Sequence, residues 1–182
     1  FQVNQLSLKV HQMRLSLLLS LSITMNLLNY KQKCIHNMTA ESILDKLISF
    51  PVLGGESNSS IIFWIKEYIE SFGVEVLLVP NKEGDKASLH CRIGPSVDGG
   101  VILSGHTDVV PVEGQNWTSD PFKLTDKGDG RLYGRGSCDM KGFIACCLAM
   151  LPQMVKASLK KPIYFEFSYD EEVGCLAATG LP

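Results

Sequence analysis

Residues 141–174 read KGFIACCLAMLPQMVKASLKKPIYFEFSYDEEVG. The stretch predicts a long helix over 141–156 and an apolar strand over 163–167, which runs straight into the carboxylates Asp170, Glu171 and Glu172. A helix followed by a fully apolar strand is the unit of an α/β layer. Three successive carboxylates repel one another, and a strand that delivers them to one point favours a cation there over a plain solvated charge run.

Upstream, the same alternation continues. Ile43, Leu44, Leu47 and Ile48 form one helical face that ends at Phe50-Pro51, where proline removes a donor and disfavours helix before it. Ile61, Ile62, Ile65, Tyr68, Ile69 and Phe72 form a second face, with Gly73 as the stop. Val74–Val79 reads as a buried strand, 87–93 as a half-exposed alternating one, 101–103 as a short apolar strand and 131–133 as another. The expected fold is therefore α/β: a layered domain with a mostly parallel sheet flanked by helices.

The 182 residues carry 17 Lys+Arg against 19 Asp+Glu, and 45% are hydrophobic, which is a globular composition with no charge excess for nucleic acid or a membrane surface. The average hides a split. Residues 1–37 hold four of the basic residues and no acidic one, so 38–182 is net acidic. An apolar run at 15–28 follows Arg14, yet no small-residue cleavage site follows it, and Met38 stands directly before Thr39 and Glu41, which open a helix. Residues 1–37 are thus expected to be an upstream or targeting extension outside the fold, with the domain beginning at Met38. Cysteines stand at 34, 91, 138, 146, 147 and 175; five after Met38, two of them adjacent, make no disulfide framework, and a reducing cytoplasm is the expected home.

Two more constellations join the acidic cluster at element ends. In Ser104-Gly105-His106-Thr107-Asp108, an imidazole and a carboxylate two residues apart on an extended chain point to one side, so His106 could bind a metal while Asp108 orients it. In Gly134–Gly142, Asp139 precedes the long helix where an N-cap would sit. Imidazole and carboxylates at strand and helix ends suit zinc, manganese or cobalt. The glycines at 128, 130, 134 and 136 do not make a phosphate cradle, and His90, within the strand 87–93, reads as structural.

The motifs SGHTDVVPVEGQNWTSDPF (104–122), RLYGRGSCDMKGFIA (131–145) and SYDEEVGC (168–175), in that order, resemble the M20 family of co-catalytic metallohydrolases. The resemblance implies two divalent ions, usually zinc with cobalt or manganese possible, bridged by Asp139. His106 would be a ligand of one ion and Glu172 of the other, with Glu171 the general base and Asp108 the partner of His106. It implies hydrolysis of an amide in a small N-acyl amino acid, with desuccinylase, aminoacylase and carboxypeptidase activities as alternatives within the family, and a non-catalytic metal-binding fragment as the alternative outside it. The family's further acidic ligand, lid domain and final histidine have no counterpart here. The chain is accordingly expected to be a truncated M20-type catalytic domain, inactive alone and monomeric, whereas complete members pair through the lid.

Overall fold

The structure is a computed structural model that describes residues 38–177 and, before them, only Ser20 and Thr24. The expectations for the rest of 1–37 lie outside the described residues. The described residues from Met38 onward form one compact unit.

Helix α1 (Ala40–Ile48) begins where Thr39 accepts a hydrogen bond from the Ser42 N–H at 3.2 Å and donates its own N–H to the Ser42 hydroxyl at 2.9 Å. This reciprocal cap satisfies two orphan donors. Helix α2 (Ser59–Glu70) follows, then β1 (Val76–Pro80), β2 (Ala87–Ile93), β3 (Val101–His106), the short pair β4 (Thr125–Asp126) and β5 (Leu132–Tyr133), helix α3 (Lys141–Lys156) and β6 (Ile163–Ser168).

The four long strands lie in the order β1-β2-β6-β3, and helices flank the sheet. The α/β layering is as expected, but the strand directions are not. Both β1–β2 and β2–β6 are antiparallel, and only β3–β6 is parallel, so the sheet is mostly antiparallel. The reason is connection length. Between β1 and β2 the Asn81 side chain accepts from the N–H groups of Gly84 and Lys86 at 2.9 and 3.1 Å, closing a turn too short for a parallel crossover. Between β3 and β6 the chain is long enough to include α3, and the strands run together.

Burial also differs from the expectation for the first two strands. The apolar β1 is a partly exposed edge strand, with Leu77 54% exposed, while β2, read as half-exposed, lies inside the sheet with only Arg92 open. An apolar run states what a strand can tolerate, not where the sheet ends.

One face of the sheet carries Leu89, Cys91, Ile93, Phe165 and Phe167, all buried. They belong to one core with Ile43, Leu47, Ile61, Ile65, Ile144 and Leu148 from the helices. A Cβ on Gly105 would come within 3.3 Å of Ile144, Met140 and Phe143, so glycine lets α3 seat directly on β3. That seating sets the start of α3 beside the end of β3.

Candidate metal centre

β3 and β6 are parallel neighbours with His106 paired to Ser168, so their C-terminal ends leave the sheet side by side. One strand thereby presents His106 and Asp108, and the other presents Asp170, Glu171 and Glu172. The loop before α3 supplies Asp139. Met140, not Asp139, holds the N-cap position of α3, and it makes no side-chain cap bond. The Asp139 carboxylate instead stands with Oδ1 3.1 Å from His106 Nε2.

His106 is the buried hub, 4% exposed. Its Nδ1 lies 3.0 Å from the Asp108 carbonyl oxygen, so Nδ1 donates there and Nε2 faces the carboxylates. Glu171 Oε2 is 3.6 Å from Nε2. Ligand atoms of His106, Glu171 and Glu172 all lie within 4.8 Å of one another, close enough to hold a metal ion together. The five residues singled out from the sequence gather around His106: Asp139 and Glu171 face its Nε2, Glu172 lies in ligand range of His106 and Glu171, and Asp108 stands on the Nδ1 side. Among the described residues, no lysine or arginine forms an ion pair with Asp139, Glu171 or Glu172. A borderline or hard divalent ion fits this donor set of one imidazole and clustered carboxylates.

Asp108 works differently from the expected side-chain partner of His106. Its Oδ1 is 3.6 Å from Nδ1, too long for a hydrogen bond. The carboxylate, 1% exposed, accepts instead from the backbone N–H groups of Glu171 at 3.2 Å and Glu172 at 3.1 Å. Asp108 thus orients the imidazole through its carbonyl and holds both glutamates through its side chain.

Electrostatics follow from this crowding. Burial, the largest influence on His106, pushes its pKa down, but the Asp108 and Asp139 carboxylates and the Asp108 carbonyl outweigh it and lift the imidazole to about 9. Burial raises the Asp108 carboxyl, and the neighbouring imidazole and the two glutamate N–H groups overcome it, leaving the carboxyl below its ordinary value. Glu172 is raised, first by burial and then by Asp139, Glu171 and Asp108, against the pull of His106.

Several residues that hold the site were not singled out from sequence. Gly54 donates to the Val109 carbonyl, and a Cβ there would lie 2.8 Å from Val173 and 3.4 Å from Asp108 Oδ2. Asn58, fully buried, bonds both backbone groups of Ala87 and reaches Thr107 Oγ1 at 3.2 Å. Thr107 in turn donates to the Ser168 carbonyl. Lys141 is wholly buried and donates to the Phe50 carbonyl at 2.7 Å, anchoring the helix behind Asp139; burial holds its pKa down at about 8. Arg135 does not neutralise the carboxylates but pairs with Gln115 and lies over the Trp117 ring. His90 pairs with Glu166 on the sheet, away from the cluster.

Residues 102–181 match the family model described as peptidase family M20/M25/M40. The acetylornithine deacetylase of Shigella sonnei is 41% identical over 125 residues, which are 68% of this chain and 32% of that protein. The acetylornithine deacetylase of Proteus mirabilis is 39% identical over the same shares. Among solved structures, an M20 family metallo-carboxypeptidase from Sulfolobus solfataricus superposes with a TM-score of 0.65 at 24% identity, over 74% of this chain and 31% of that one. Human carnosine dipeptidase 1 superposes with a TM-score of 0.57 at 25% identity, over 74% and 32%. The chain spans about a third of the length of these relatives.

Proposed function

We propose, from the premise that through residues 102–181 the chain belongs to peptidase family M20/M25/M40, that it is the N-terminal part of a two-metal amide hydrolase that removes the acetyl group of N-acetylornithine. The observation that carries the reading is that carboxylates from two other segments, Asp139 from one and Glu171 and Glu172 from the other, gather on the imidazole of His106. The two acetylornithine deacetylases at about 40% identity support the substrate; a place in arginine biosynthesis in the cytoplasm belongs to the same proposal. Among the described residues, no helix is long and apolar enough to cross a membrane.

In this reading His106 and Asp139 would hold one zinc ion, and Asp139 and Glu172 would hold the second. Such ions supply a Lewis acid for the amide carbonyl and a water acidic enough to act near neutral pH. Glu171 is the general base: its backbone N–H is fixed by Asp108, but its side chain is 45% exposed and free to take a proton from water and return it to the departing amine. His106 is oriented by the Asp108 carbonyl so that Nε2 is the ligand atom. Each ion would have only two ligands from this set, and the rest of the coordination and the ornithine-binding residues would come from other parts of the whole enzyme.

The test has two stages. Purified 1–182 should bind zinc measurably but weakly and release no acetate from N-acetylornithine; substantial turnover by this chain alone would sink the proposed division. In a longer natural protein containing the segment, Glu171→Ala should keep metal and lose acetate release, while His106→Ala should lose metal.

A further inference from the structure

Strand β6 ends at Ser168, and two residues later Asp170 adopts a left-handed backbone with φ 54°. An aspartate can hold this conformation, but only when its surroundings over-determine it. The turn it makes is what directs the N–H groups of Glu171 and Glu172 back to Asp108. What holds Asp170 is therefore what aims the two glutamates.

The Asp170 carboxylate is 3% exposed and has two partners. Oδ1 accepts from the Gly55 N–H at 2.9 Å, and Oδ2 accepts from Lys86 Nζ at 2.6 Å. Lys86 is itself 8% exposed, sits at the end of the β1–β2 turn, and is 84 residues away in sequence. Its backbone is fixed on both sides, the N–H donating to Asn81 Oδ1 and the carbonyl accepting from Asn81 N–H. Its ammonium also lies 5.9 Å from the centre of the Tyr169 ring. A buried, charge-assisted bond from a fixed hairpin is a rigid strut, and its removal leaves a buried carboxylate with a single neutral donor.

The geometry points to Lys86 as a positioning residue: through Asp170 it sets the turn that presents Glu171 and Glu172 to His106. It touches none of the reacting groups. The consequence for metal affinity rests on the proposed metal reading, whereas the consequence for the turn does not.

The experiment follows the assigned amide resonances of Glu171 and Glu172 in metal-free 1–182, together with zinc affinity by chelator competition, for the unaltered chain, Lys86→Met and Lys86→Arg. Lys86→Met should move both amides upfield as their bonds to Asp108 loosen, with resonances remote from 168–175 unchanged, and weaken zinc binding by about tenfold or more. Lys86→Arg, which keeps a charged donor, should hold the amides near their original shifts. Unmoved Glu171 and Glu172 amides in a folded Lys86→Met protein overturn the proposal. If Lys86→Met does not fold, Lys86→Gln and Asp170→Asn are read by the same amides, and unmoved resonances in both overturn it equally. Should the unaltered chain bind no zinc at all, the metal reading fails while the amide shifts still decide the role of Lys86.

Discussion

The Nε2 of His106, almost wholly buried, stands 3.1 Å from Oδ1 of an Asp139 side chain that is 75% exposed. The contact joins a strand end to the loop before a helix, across 33 residues of sequence. Without metal, a proton on the imidazole holds this pair together.

That proton makes stability depend on pH. His106 has a folded pKa of about 9 against 6.5 ordinarily, so its protonation stabilises the fold fully below about pH 6.5 and the contribution disappears as pH rises through about 9. Lys141, lowered to about 8, acts in the opposite sense, adding stability between about 8 and its ordinary 10.5. The useful measurement is the difference in Tm between the metal-free chain and His106→Asn, which should shrink steadily from pH 6 to pH 9.5. A direct NMR titration should place the imidazole near 9, and Asp139→Asn should lower it.

Asp108→Ala removes the acceptor for two partly buried N–H groups at the start of the acidic turn. The expected loss is about 2 kcal/mol in urea unfolding, because two hydrogen bonds to a buried charged acceptor are lost. Asp108→Asn keeps the shape and one acceptor and should lose less. Equal stability for both variants and the unaltered chain would contradict the arrangement.

Gly142 lies in the first turn of α3, where alanine is intrinsically better by about 1 kcal/mol. The structure reverses that preference, since a Cβ would collide with the Ser137 backbone carbonyl. Gly142→Ala should lower Tm and, by displacing the loop that carries Asp139, loosen zinc. A raised Tm would show that propensity, not packing, governs this turn.

Cysteine chemistry should divide cleanly. Burial pushes the Cys91 thiol to about 12 and that of Cys147 to about 11, whereas Cys138, Cys146 and Cys175 are exposed. Iodoacetamide at pH 8 should alkylate the three exposed residues in the native protein and reach Cys91 and Cys147 only after denaturation, as read by peptide mass spectrometry.

The candidate site was readable along the chain because each part lies at the end of an element whose periodicity is plain: His106 after the 101–103 apolar run, Asp139 before the helix at 141, the glutamates after the strand at 163. The parts of the fold that were not readable concern pairing. Nothing local in 74–79 says that it borders solvent, and nothing in 87–93 says that it lies between two other strands. Those facts depend on which strands come to lie beside them. The Asp139 carboxylate likewise left the expected cap position because an imidazole from a distant strand was within reach.

Residue order and periodicity were enough to specify the helices, every strand but the two-residue β4, and the identities of the clustered imidazole and carboxylates, since backbone propensity and apolar spacing act over a few residues. Strand direction, the pair of hydrogen bonds that the Glu171 and Glu172 N–H groups donate to the Asp108 carboxylate, and the Lys86–Asp170 strut emerged only on folding. They are contacts between segments some 60 to 85 residues apart, and the energy of a buried charge depends on what is brought against it rather than on its neighbours along the chain.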